Sequence, residues 1–138
     1  MSSGRAVRLT IPARPEYIAL CRLALTGIAW ARGLDGETLA DLKLVLTEAC
    51  SNSIRHAYPQ GGGTVEVVYE LRDDRLVLEV ADSGSGFVPQ ERVVEDEAEL
   101  SEGGLGMAIM RAIADELELS PGANGRGSRI RLVKRLPA

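Results

Sequence analysis

Glu48-Ala-Cys-Ser-Asn52-Ser-Ile-Arg55-His56-Ala-Tyr58 is the stretch on which the fold and the function of this chain turn. On an α-helix, residues four apart lie one turn above each other, so Glu48 and Asn52 share a face and Arg55 continues it. Leu39, Leu42, Leu46, Cys50, Ser53 and Ala57 recur at helical spacing on the opposite stripe. Leu44, Val45 and Ala49 add apolar groups beside the polar face. A carboxylate and an amide in that setting read as the wall of a polar pocket. The plain alternative is a solvated helix face, since Glu and Asn often share one. The stretch alone does not choose between the two.

Its flanks are readable in both directions. Upstream, Val7, Leu9 and Ile11 alternate with Arg8 and Thr10 as in a short half-buried strand. Pro12 and Pro15 end it, and Pro15 suits the first turn of a helix. That helix runs from Glu16 to Arg32 and is expected to bury Leu20, Leu23, Ala24 and Ile28. Gly33 stops it, as a residue that tolerates left-handed dihedrals. Asp35 then caps the helix bearing Glu48 and Asn52. Downstream, Tyr58-Pro59 and Gly61-Gly62-Gly63 end that helix and turn the chain.

Two strands follow, joined by Asp73-Asp74 as in a hairpin. Val65, Val67, Tyr69 and Leu71 share one face of the first, against Glu66 and Glu70; Leu76, Leu78 and Val80 share one face of the second. Asp82 has the parity of those leucines and therefore points inward. A buried carboxylate there needs a partner, because an unpaired charge is costly. Ser83-Gly84-Ser85-Gly86 comes next, and its glycines allow close approach of the backbone to another molecule. Residues 88 to 102 are polar and acidic, read either as a mobile lid or as a solvated helix over 90 to 100. Gly103-Gly104-Leu105-Gly106 opens a helix carrying Leu105, Ala108, Ile109, Ala112, Ile113 and Leu117, and amides at such a start suit an anion. After Pro121-Gly122 and Asn124 to Gly127, one last strand places Ser128, Ile130 and Leu132 on one face, so Ser128 points inward as Asp82 does.

At 138 residues the chain reads as a single domain, 1–138, with one core. A net charge of −4 and 4% aromatic residues argue against nucleic-acid partners. Arg126, Arg129 and Arg131 form the one candidate basic patch. The N-terminus has no apolar signal core, and the run from Ala19 to Ala31 is interrupted by Arg22 and too short to span a bilayer. Cys21 and Cys50 fall in helical patterns without metal spacing; a disulfide stays open, but buried free thiols fit the cytoplasmic location expected here. Since every strand has one apolar face and every helix one apolar stripe, the expected fold class is α/β (α+β). It is a two-layer sandwich, a mostly antiparallel mixed sheet with helices on one face.

Taken in order, the E-x-x-x-N helix, D-x-G-x-G after a strand, G-x-G opening a helix and a Gly-Ser strand start resemble the GHKL, or Bergerat-fold, ATPases. The match covers about Leu39 to Lys134. Each motif alone is weak; the ordered set is specific. Within that superfamily, Glu48 to Tyr58 and Glu102-Gly-Gly-Leu-Gly-Met-Ala-Ile-Met110 are most similar to the anti-sigma-factor serine kinases.

The resemblance implies ATP and Mg2+ as cofactors, with Asn52 binding the metal through its side-chain oxygen and Glu48 acting as general base. It implies that Asp82 accepts the adenine amino hydrogen beside Ser128, through a hydroxyl or a water, and that Gly84 and Gly86 let the base lie on the backbone. Gly104, Leu105 and Gly106 would hold the phosphates. Arg55 either reaches a phosphate or is solvated, and His56 is expected to pack at the helix end. Ser53, Ala57 and Ser128 depart modestly from the family pattern. The resemblance further implies a serine kinase acting on an anti-sigma-factor antagonist, a sigma factor as second partner, and a homodimer. A nucleotide-gated binding module without efficient transfer is the alternative. A histidine kinase domain fits less well, since His56 is the sole histidine.

Overall fold

Alternating sequences make strands with one apolar face, and here all those faces turn the same way. The computed structural model describes residues 5–58, 61–84, 105–122 and 126–137. Five strands lie side by side in the order β1 (Arg5–Pro12), β2 (Thr64–Leu71), β3 (Arg75–Asp82), β5 (Ser128–Arg135) and β4 (Glu116–Pro121). Every neighbouring pair is antiparallel, so the sheet is not mixed as expected. The register aligns Val7, Tyr69, Leu78, Leu132 and Leu117 in one row, and Leu9, Val67, Val80, Ile130 and Leu119 in the next. A third row, Ile11 and Val65, ends on Asp82.

Among the described residues, three helices cover this face: α1 (Ile18–Arg32), preceded by a 3-10 turn at Pro15–Tyr17, α2 (Gly36–Ala57) and α3 (Leu105–Ile113). Gly33 closes α1 at φ 79°, in the left-handed region. The Asp35 carboxylate accepts from the Thr38 amide at 3.4 Å and caps α2. Leu42, Val45, Leu46, Ala49, Cys50, Ser53 and Ala57 bury the inner stripe of α2, with Leu39 partly covered. The Ser53 hydroxyl is buried without a hydrogen-bond partner among the described residues. Ser53→Ala is therefore expected to raise stability by up to about 1 kcal/mol in urea unfolding; a loss of that size would contradict the geometry.

Two expectations are corrected. In α1 the buried residues are Ile18, Cys21, Leu25 and Ala29, while Leu20 and Leu23 are exposed and Ala24 and Ile28 only partly covered. This helix is apolar on nearly every side, so its own periodicity cannot choose the inner stripe. At the chain's other end α3 stops at Ile113, and Leu117 belongs to β4, a strand read as a continuation of the helix. Glu116-Leu117-Glu118-Leu119 alternates with period two, and Pro121-Gly122 marks the turn into β5. In α3 it is Gly106 and Met110 that are buried, and Leu105, Ala108 and Ala112 are exposed.

Cys21 and Cys50 are free and fully buried between α1 and α2. A hydrogen bond with Cys21, together with burial, holds the Cys50 thiol above its ordinary range. Beside them the Tyr69 hydroxyl donates to the Cys21 carbonyl at 2.8 Å, joining the middle of the sheet to α1. The Cys21 carbonyl lies within α1 and keeps its helical partner, so removing the hydroxyl costs one net hydrogen bond, about 0.5–1.5 kcal/mol. Tyr69→Phe is expected to lower the unfolding free energy by that amount, moving the urea midpoint down without changing the slope; an unchanged midpoint would show that the bond contributes nothing.

The opposite face of the sheet is polar. Glu79 pairs with Arg129 at 2.6 Å and with Arg131 at 3.7 Å, and Arg8 reaches Glu66 at 3.6 Å. Two arginines of the suspected basic patch, Arg129 and Arg131, thus share the Glu79 carboxylate. Among the described residues, no helix is long and apolar enough to cross a membrane.

Candidate active site

Glu48 and Asn52 sit one turn apart on α2, each partly buried. The first turn of α3 lies directly against Glu48: a Cβ added to Gly106 would fall on the Glu48 carboxylate. The first turn of α3, whose amides suit an anion, thus packs against the flexible end of this acid. The arrangement brings a proton acceptor, an amide oxygen and an anion-seeking helix end together.

Towards the C-terminal end of α2 a second cluster forms around Asp82. Its side chain is 6% exposed, and three donors answer its charge. Oδ1 accepts from the Gly84 amide at 3.0 Å and the Ser128 amide at 3.2 Å, and Oδ2 accepts from the Ser128 hydroxyl at 2.8 Å. The inward parity expected for Asp82 and Ser128 therefore ends in direct contact, with no water between them. With one hydrogen bond on Oδ2, that oxygen retains capacity for a further donor. A Cβ on Gly127 (φ 71°) would strike the Asp82 carbonyl, and one on Gly84 would strike the Ala57 carbonyl. Both glycines are required by close backbone contact rather than by turn geometry alone.

The two clusters are the ends of one track along α2. From Ala57, against Gly84, to Glu48, against Gly106, the helix axis runs about 13 Å at 1.5 Å per residue. Asn52 lies between them. Arg55 and His56 are exposed on the last turn of α2. Leu105 is also exposed. Gly86, Gly104 and the acidic segment 88–102 lie outside the described residues. Sequence reasoning assigned Tyr58 only to ending the helix, yet its hydroxyl donates to the Thr64 carbonyl at 2.8 Å and accepts from the Ser83 amide at 3.0 Å. No periodicity marks such a contact; its place as the last residue of the Glu48 to Tyr58 stretch is the hint.

A groove of about 450 Å³ opens on the polar face of the sheet, lined by Arg8, Glu66, Glu70, Glu79 and Arg129 and reaching Asp82 at its end. Neither Glu48 nor Asn52 lines it, and its charges are already paired with one another. The chemistry of the α2 track lies elsewhere.

Comparison with known proteins places this arrangement. The model of the histidine kinase-like ATPase domain matches residues 11–134. The serine-protein kinase RsbW of Bacillus licheniformis is 37% identical over 123 residues, covering 82% of this chain and 76% of that protein. RsbW of Listeria innocua is 35% identical over 122 residues, covering 82% and 78%, and RsbW of Bacillus subtilis 33% over 143 residues, covering 94% and 85%. Among solved structures, the RsbU and RsbW domains of a Mycobacterium tuberculosis protein superpose with a TM-score of 0.71 at 23% identity. That match covers 97% of this chain and 34% of the other. The histidine kinase domain of a blue-light activated kinase from Erythrobacter litoralis gives 0.57 at 18% identity, covering 91% and 62%. These two show a shared fold. With the family model spanning Ile11 to Lys134, and with relatives above 30% identity along most of their length, the chain belongs to the histidine kinase-like ATPase domain family.

Proposed function

We propose that this chain is an ATP-dependent protein serine kinase, and that its acceptor is a serine on an anti-sigma-factor antagonist. The observation that carries the reading is the α2 track, with Glu48 against the first turn of α3 at one end and the clamped Asp82 at the other. ATP, when bound, supplies the γ-phosphoryl group that is transferred. Asp82 Oδ2, with its spare acceptor capacity, receives a hydrogen from the adenine amino group. Gly84 lets the base lie on the backbone, and the Leu105 and Gly106 amides face the phosphates. A polyanion beside Glu48 would be repelled without a cation between them. Asn52 presents a neutral oxygen at that point and would hold Mg2+, which favours oxygen ligands and retains waters. Glu48 takes the proton from the attacking serine hydroxyl. Gly86 and Gly104 belong to the same proposed site, and Arg55 is placed at its solvent margin.

The kinase relatives and the resemblance to anti-sigma-factor kinases support a second role, in which the same domain holds a sigma factor until an unphosphorylated antagonist displaces it. The test mixes the protein with γ-labelled ATP and a candidate antagonist, then repeats copurification with a sigma factor. Label on an antagonist serine supports the kinase. Nucleotide-dependent capture without label would instead establish a binding module that switches partners.

A homodimer completes the reading. Among the described residues β1 is an edge strand whose Val7 is 46% exposed, and α1 leaves Leu20, Leu23 and Trp30 uncovered. A strand edge and an uncovered apolar stripe each suit a second copy. Sedimentation at micromolar concentration with ADP present is expected to give twice the monomer mass, and Trp30→Glu to give the monomer. A monomeric wild type would contradict the proposal.

A further inference from the structure

We infer that Tyr58 is a positioning residue for the nucleotide base, acting through the backbone of the Asp82–Gly84 segment; the inference rests on the nucleotide reading above. Tyr58 is the C-cap of α2 and is only partly buried, so packing alone does not account for its geometry. Its hydroxyl is used in both directions. It donates to the Thr64 carbonyl at the start of β2 and accepts from the Ser83 amide just past β3. The end of α2, the start of β2 six residues on and the segment after β3, 25 residues on, are therefore tied at one oxygen.

The ring is held as firmly as the hydroxyl. Gly63 has φ 85°, and a Cβ there would overlap the Tyr58 ring. Only a residue without a side chain lets the β2 entry pass over the ring. One residue earlier on α2, the Ala57 carbonyl lies against Gly84. Ser83 is thus held by the Tyr58 hydroxyl and Gly84 by close contact with Ala57, while Asp82 is held from the other side by Ser128. The carboxylate that would read the base is fixed relative to β5 by Ser128 and relative to α2 by Tyr58. Ser128 alone would set Asp82 within the sheet but not its distance from the helix that carries Asn52 and Glu48.

Loss of the hydroxyl should therefore loosen base recognition while leaving the proton-transfer end intact. A neutral hydrogen bond contributes modestly, so removing two through Tyr58→Phe, which keeps the ring against Gly63, is expected to weaken Mg-ADP binding about three- to tenfold. Titration calorimetry with ADP and with GDP should show the preference for adenine narrowing by a similar factor. In the kinase assay KM for ATP should rise with kcat near the wild-type value, a split that a general loss of folded protein would not produce. Without any substitution, the Ser83 amide of the wild-type protein should be protected from hydrogen exchange relative to other amides on exposed turns. An unprotected Ser83 amide overturns the inference even where Tyr58→Phe fails to fold. So does Tyr58→Phe with unchanged ADP affinity and unchanged ADP/GDP ratio, or one that lowers kcat and thermal stability with KM unaltered. If the wild type binds no ADP, the nucleotide reading itself falls; wild-type binding with an indifferent variant removes only the role of Tyr58.

Discussion

Glu48→Gln should leave Mg-ATP binding near the wild-type level and lower phosphotransfer by about 10²- to 10⁴-fold, the usual range for a lost general base. Asn52→Ala should instead abolish or severely weaken Mg-ATP binding. The two side chains are one turn apart on α2, share one face and carry different chemistry, so the contrast is the informative result. Glutamine keeps the shape of Glu48 and can still lie against Gly106, but its amide cannot take up a proton at neutral pH. Alanine at 52 removes the neutral oxygen proposed to hold the metal. Equilibrium binding of Mg-ATP and single-turnover transfer to an antagonist would separate the two. Equal loss of binding in both variants would falsify the division of roles. A companion substitution, Gly106→Ala, drives a methyl into the Glu48 carboxylate and should move towards the Glu48→Gln phenotype.

The second large effect is expected at Asp82. Asp82→Asn can retain the hydrogen bonds from the Gly84 and Ser128 amides through its one carbonyl oxygen. Its NH2 group then occupies the place of Oδ2, where Ser128 donates and where the base amino group would also donate. The Ser128 hydroxyl can turn round and accept, but the base amino group then meets a donor, and a charged acceptor is lost. Hydrogen bonds to charged groups are worth about 1.5–3 kcal/mol, which corresponds to a roughly 10- to 100-fold weaker affinity for ATP and ADP alike. Thermal stability should change far less, because the fold loses a buried charge as well as a bond. Calorimetric titration alongside a melting curve checks both halves. Wild-type ADP affinity in a folded Asp82→Asn protein would remove Asp82 from the base site.

Equal weakening of ATP and ADP distinguishes this end of the track from the other. A defect at Asp82 acts on the part common to both nucleotides, whereas one at Asn52 acts through the metal and the phosphates. Combining Asp82→Asn with Glu48→Gln should give additive free energies, since the two sites lie at opposite ends of the track along α2 and share no partner. The proposed strut at Tyr58 should instead be non-additive with Asp82→Asn, because it acts through the same backbone segment.

Much of this was legible in the chain before any coordinates, wherever a local rule had one solution. Period-two alternation gives a strand a single apolar face, so the inward direction of Asp82 and Ser128 followed from counting, as did the cap at Asp35 and the stop at Gly33. Alternation in Glu116 to Leu119 was equally local, but it followed a helical pattern without a break and was read as more helix. For α1, apolar residues on nearly every side left two stripes available. Packing of the helix against α2 and β2 selected Ile18, Cys21, Leu25 and Ala29 and left Leu20, Leu23 and Trp30 outside. The contacts that make the site are of another kind. Ser128 bonds to Asp82 across 46 residues of sequence and Ser83 to Tyr58 across 25, and Gly106 meets Glu48 from a different helix. Local sequence determined which side chains face inward; only the antiparallel register and the seating of α3 on α2 decided which of them touch, because distances between elements are set by packing and not by any residue's own conformational preference.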